Sequence, residues 1–87
     1  MAKRIDSNQP EIVKALRNVG ATVTCTHIVG DGFPDLVVGY RGCNFLLEVK
    51  IPGGKLNEVE QDWHNAWRGQ KLVVDCPNAA LAAIGAI

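Results

Sequence analysis

The sequence predicts one small α/β or α+β domain with the element order α-β-β-β-α-β-α. Three observations predict it. Two segments carry apolar residues at helical spacing and stop at a glycine. Between them lie three runs rich in β-branched residues, the last two separated by a bare Arg41-Gly42 break. A short β-branched run and an alanine-rich tail then close the chain. Eighty-seven residues leave room for one core, and a chain this short buries only about 60–65% of its unfolded surface.

The first helix spans 8–19. Ile12, Ala15, Leu16 and Val19 share one stripe, Pro10 suits the first turn and Gly20 is the stop. Residues 21–27 read as a strand, and Val29 to Pro34 as a loop broken by two glycines and a proline. Residues 35–40 and 44–51 form a hairpin about the Arg41-Gly42 turn. Its strands are apolar on both faces, with Leu36, Val38, Phe45, Leu47 and Val49 on one and Val37 and Leu46 on the other. Such a hairpin needs cover on both sides, from helices or from a second subunit. Pro52-Gly53-Gly54-Lys55 is a break. The second helix, 57–68, has Val59, Trp63, Ala66 and Trp67 on its expected buried stripe, with Gly69 ending it. A strand over 71–75 and a helix opened by Pro77 complete the domain.

Composition excludes several classes. Apolar residues make up 47% of the chain, ordinary for a soluble globular domain and too many for disorder. No apolar run approaches the roughly 20 residues that span a bilayer. The start has basic residues but no apolar stretch behind them, so it does not read as a signal peptide. Cys25, Cys43 and Cys76 are widely spaced, without a Cys-x-x-Cys, and read as reduced, mostly buried thiols of a cytoplasmic protein. A thiol redox function fails for want of a Cys-x-x-Cys, and a zinc site built on Cys25 and His27 for want of a second ligand pair. Net charge is zero. Setting Glu11, Asp35 and Glu48 aside as a cluster leaves nine basic side chains against six acidic, so neutrality does not exclude a nucleic-acid partner.

The hairpin concentrates the chemistry. With Arg41-Gly42 as a two-residue loop, Tyr40 faces Cys43 and, counting outward, Asp35 lies opposite Glu48. Directly opposed residues share a face with Cβ atoms about 4.5–5.5 Å apart. Lys50, two residues beyond Glu48, shares that face as well. Two carboxylates about 5 Å apart repel by about 3 kcal/mol at an effective dielectric of about 20. Lys50 can compensate one of them; a hard divalent cation compensates both, and oxygen ligands suit Mg²⁺ or Mn²⁺. A structural salt-bridge cluster at an exposed hairpin end fits the same residue types.

Gly32-Phe33-Pro34-Asp35, twelve residues, then Glu48-Val49-Lys50 resembles the PD-(D/E)xK nuclease signature. The surrounding segment from Gly32 to Lys50 is similar to the VRR-NUC branch of that superfamily, in the form of small phage and prophage proteins. The likeness runs on through Lys55-Leu56, Gln61, Trp63-His64 and Trp67-Arg68-Gly69 to the closing Ala80-Leu81-Ala82-Ala83-Ile84-Gly85, and so covers nearly the whole chain. The resemblance implies a restriction-endonuclease-like core, with a mixed sheet flanked by helices. It implies a Mg²⁺- or Mn²⁺-dependent endonuclease acting on branched or otherwise structured DNA, such as four-way junctions, in the cytoplasm of a bacterial host. Asp35 and Glu48 would ligate the metal with the Val49 carbonyl as a third oxygen, and Lys50 would act on the attacking water and on transition-state charge. Glu11 would be the acidic residue of the first helix, although Asn8-x-x-Glu11 also reads as a capping box. Gln61 matches a recurrent glutamine of this branch, though periodicity turns it away from the buried stripe.

Other residues carry weaker signals. Glu60 pairs with Asn57 as a capping box and is assigned no chemistry. Trp63 and Trp67 read as core rather than as base-stacking platforms. Lys55, on the glycine-rich loop, and His64 are candidate DNA contacts, each with an ordinary structural reading beside it. A resolvase-like nuclease implies a twofold homodimer with both sites on one DNA-binding surface. The competing class is a nucleic-acid-binding module on the same fold without turnover, which the joint presence of Asp35, Glu48 and Lys50 disfavours.

Overall fold

The structure, a computed structural model, describes residues 5–87. The basic start Met1–Arg4, part of the segment read above as lacking a signal peptide's apolar stretch, lies outside the described residues. The element order is α1 (Gln9–Asn18), β1 (Thr22–Cys25), β2 (Leu36–Tyr40), β3 (Cys43–Val49), α2 (Glu58–Ala66), β4 (Leu72–Val74) and α3 (Pro77–Ala83). The expected α-β-β-β-α-β-α order is therefore the observed one. The four strands form one mixed sheet in the order β1-β2-β3-β4, antiparallel except for the parallel pair β3/β4. A parallel neighbour requires a crossover, and α2 lies within it.

The hairpin turn sets the register. Arg41 and Gly42 both have positive φ, 49° and 79°, as a two-residue primed turn demands. Tyr40 then pairs with Cys43, and the ladder runs outward to Leu36 opposite Leu47. Side chains alternate across the sheet. Leu36, Val38, Leu47 and Val49 are fully buried on one face, against Ile12 and Leu16 of α1 and Ala80 and Ile84 at the end of the chain. Helices α1 and α3 pack on each other, α1 beside β1 and α3 beside β4. Val37 and Leu46, on the opposite face, are half-buried.

Several expectations need correction. On α1 the buried stripe is Gln9, Ile12, Val13 and Leu16, while Val19 is exposed beyond the helix end. Strand β1 ends at Cys25; Thr26 still runs beside β2, its N–H donating to the Asp35 carbonyl and its hydroxyl to that of Pro34, and the chain turns after it, where the Val29 N–H donates to the Thr26 carbonyl. The cysteines are free, but Cys25 and Cys43 are exposed and Cys76 half-buried, so they are not core thiols. Cys76 instead caps α3, its Sγ accepting the Ala79 N–H.

The largest correction concerns α2. Its buried residues are Glu60 and His64, not the predicted apolar stripe. Val59 is 56% and Trp67 39% exposed, Ala66 is exposed and Trp63 half-buried. The helix is seated on the loop before β2 rather than on the core. A Cβ on Gly32 would lie 2.6 Å from the Val59 carbonyl oxygen and 2.9 Å from Trp63 Cβ, and Phe33 meets the Trp63 ring edge-on at 5.5 Å. Trp63 and Trp67 stack on each other at 4.7 Å. Periodicity located the apolar side of the helix but not which side would be covered.

This seating is testable at two glycines that share the left-handed conformation. Gly20 (φ +91°) has open space about it, so Gly20→Ala should cost only the backbone term, about 1–2 kcal/mol. Gly32 (φ +81°) meets the backbone of α2, so Gly32→Ala should cost about 1–3 kcal/mol more. In thermal unfolding each kcal/mol lowers Tm by about 4–8 °C in a domain of this size. Equal losses in the two variants would contradict the close packing of α2 on the loop.

Candidate functional site

The register that ends at Leu36 opposite Leu47 brings Asp35, the next residue outward, to Glu48. Both are buried, Asp35 3% and Glu48 1% exposed. Asp35 Oδ2 accepts the Val49 N–H at 2.8 Å, so the carboxylate bridges from the start of β2 to the end of β3. Lys50 follows β3, and its Nζ lies 3.8 Å from Glu48 Oε2. The three residues that the hairpin spacing groups are thus grouped at one end of the sheet.

A fourth member comes from α2. Glu60, 2% exposed, places Oε1 2.7 Å from Lys50 Nζ. The same oxygen accepts the Asn57 N–H at 2.9 Å, while Asn57 Oδ1 accepts the Glu60 N–H at 2.8 Å. The expected capping box is therefore present, but Glu60 also belongs to the charged group. Sequence reasoning missed this because the capping signature already accounted for the residue. The available signal was the short connection from Lys50 to α2, which returns the helix N-terminus to the end of β3. His64, one turn after Glu60 on the same side, is buried, with its ring 5.4 Å from that of Trp63.

The other candidates are exposed. Glu11 is exposed on α1. The capping box predicted for it is absent: Asn8 caps α1 without a side-chain cap bond. Its amide instead donates to the carbonyls of Lys50 and Asp75, both at 3.0 Å, tying the start of α1 to the ends of β3 and β4. Gln9, next to it, is the buried polar residue of α1. Gln61 is exposed and donates along the helix surface to Asn65, apart from the charged group. Lys55 is exposed on its loop.

Charge defines what the group can do. Asp35, Glu48 and Glu60 supply three carboxylates and Lys50 one ammonium, a formal −2 for the quartet. Among the described residues no three or more His, Cys, Asp or Glu side chains form a metal cage. The oxygen donors of the opposed Asp35–Glu48 pair nonetheless suit a cation such as Mg²⁺, which keeps several waters and takes one or two protein carboxylates together with substrate phosphate. Compared with models of protein families, with curated proteins and with solved structures, the chain matches none.

The Asp35 contact separates hydrogen bonding from charge. Asp35→Ala leaves the buried Val49 N–H without its acceptor and should cost about 1–3 kcal/mol. Asp35→Asn keeps an accepting oxygen and removes one of the buried negative charges. Its urea midpoint without added metal should stay at or above that of the unaltered protein. An Asp35→Asn protein as unstable as Asp35→Ala would mean that the carboxylate charge is a structural necessity.

Proposed function

We propose that the chain is a metal-dependent endonuclease that hydrolyses DNA phosphodiester bonds, with branched or structured DNA as substrate. The observation that carries the reading is the buried, opposed pair Asp35 and Glu48 with Lys50 on the same side. The resemblance of Gly32–Asp35 and Glu48–Lys50 to the PD-(D/E)xK signature supplies the class of reaction. Asp35, Glu48 and the Val49 carbonyl would hold Mg²⁺ or Mn²⁺, which supplies Lewis acidity toward phosphate oxygens and lowers the pKa of water.

The chain's own residues do the rest. Attack of water on phosphorus forms one P–O bond as the bond to the leaving oxygen breaks, water giving up a proton and the leaving oxygen taking one, and negative charge builds on the phosphoryl oxygens on the way. The Lys50 side chain would stand beside that position, an electrostatic contribution worth more in a buried site than in water. Val49 N–H fixes the Asp35 carboxylate, so its geometry needs no rearrangement on binding. Glu11 of α1 and Gln61 of α2 would complete the site as the resemblance implies, each from an exposed helix face.

A structural reading of the cluster has one observation of its own, the short Lys50–Glu60 ion pair. Activity separates the two. Cleavage of four-way-junction, flapped and linear DNA should require Mg²⁺ or Mn²⁺ and stop in excess chelator. Lys50→Ala leaves the buried Glu60 without its cation and should lose stability, and its folded fraction should lose most cleavage. Robust cutting in chelator, or full activity of Lys50→Ala, would leave the cluster with a structural role only.

The partner arrangement extends the proposal. No helix among the described residues is long and apolar enough to cross a membrane. The sheet face away from α1 and α3 carries half-buried Val37 and Leu46, and exposed Val73 on β4. A twofold dimer would cover such apolar surface and pair two sites for cutting two strands. Sedimentation at micromolar concentration should then give about twice the 9.4 kDa chain mass. A species of one chain mass that still makes paired cuts would count against the dimer.

A further inference from the structure

A capping box asks only for its two reciprocal bonds, and glutamine serves in it as well as glutamate. Glu60 does more than cap. Its carboxylate is 2% exposed, and burying a negative charge is expensive unless a cation meets it. Lys50 meets it at 2.7 Å, on the oxygen that the Asn57 N–H also holds. The carboxylate is therefore pinned from the helix end, and it pins the ammonium in turn.

A lysine side chain has many rotamers of similar energy, so its head group samples many positions unless something seats it. Here the seat lies on a different element from the strand that bears the lysine. It leaves Nζ 3.8 Å from Glu48 Oε2, within the group formed by Asp35 and Glu48. We infer that Glu60 is a positioning residue, which holds the Lys50 ammonium at the reacting position through a carboxylate locked by the α2 capping box. The inference rests on the nuclease reading above. Its chemistry is confined to one contact: Glu60 touches neither DNA nor metal, and acts through Lys50.

The test uses Glu60→Gln, which preserves the box and removes the charge, against Asn57→Ala, which removes the side-chain half of the box but keeps the backbone N–H that holds the Glu60 carboxylate. On a four-way junction with Mg²⁺, Glu60→Gln should lose about ten- to a hundred-fold in kcat with KM for DNA unchanged. Asn57→Ala should lose thermal stability but keep most of its kcat. In the metal-free protein the ¹⁵Nζ resonance of Lys50, assigned by its loss in Lys50→Ala, should persist in Asn57→Ala and broaden away in Glu60→Gln. Wild-type kcat in Glu60→Gln, or an equal loss in Asn57→Ala, overturns the inference and returns Glu60 to a capping role. A wild-type protein that cuts no DNA overturns the nuclease reading itself, whereas one that cuts as fast as Glu60→Gln overturns only this role.

Discussion

The two-residue turn at Arg41 and Gly42 governs what happens at the far end of its hairpin. Positive φ at both positions lets the strands leave the turn with the twist that the sheet requires. A slip of one residue would send every side chain of a strand to the opposite face. In the register observed, Leu36, Val38, Leu47 and Val49 seal the core. The alternate positions, Asp35, Glu48 and Lys50, then have no choice but to meet on the other side. The core and the charged group are thus two consequences of one register, and neither can be changed without the other.

The buried charges of that group are met bond by bond, and α2 adds a third carboxylate that pairs with Lys50. An isolated buried carboxylate is strongly disfavoured. Asp35 is held by a backbone N–H of β3, and Glu60 by a backbone N–H of α2 together with Lys50. The helix is brought there by the loop before β2, where Gly32 allows the two backbones to approach more closely than any side chain would permit. Asn8 ties the start of α1 to the same end of the sheet through the Lys50 and Asp75 carbonyls. Three separate segments converge on Lys50, the residue after β3: Asn8 before α1, Glu60 of α2, and β4, whose Val74 carbonyl accepts the Lys50 N–H.

Local signals were legible wherever a short-range rule decided the outcome. The turn, the strand alternation, the helix stops and the Asn57–Glu60 box all follow from neighbours in sequence, and the opposition of Asp35 and Glu48 follows by counting. What was not legible depended on long-range placement. The apolar stripe of α2 pointed to Val59, Trp63 and Trp67 as buried, yet the helix lies over a loop and presents Glu60 and His64 inward. Asn8 has the composition of a cap but spends its amide on carbonyls far along the chain. Glu11 and Gln61 were singled out by resemblance; both are exposed, because the face of a helix that reaches a site depends on docking rather than on residue type.

If the proposed nuclease holds its metal on Asp35 and Glu48, crystals of the protein loaded with Mn²⁺ should reveal it by anomalous scattering. One dominant peak is expected within about 2–2.5 Å of carboxylate oxygens of both residues, the distance for hard cations on oxygen. The same peak should be absent from Asp35→Asn crystals grown alike. Mn²⁺ bound elsewhere, or no peak at that pair in a protein that cleaves DNA under the same conditions, would contradict it.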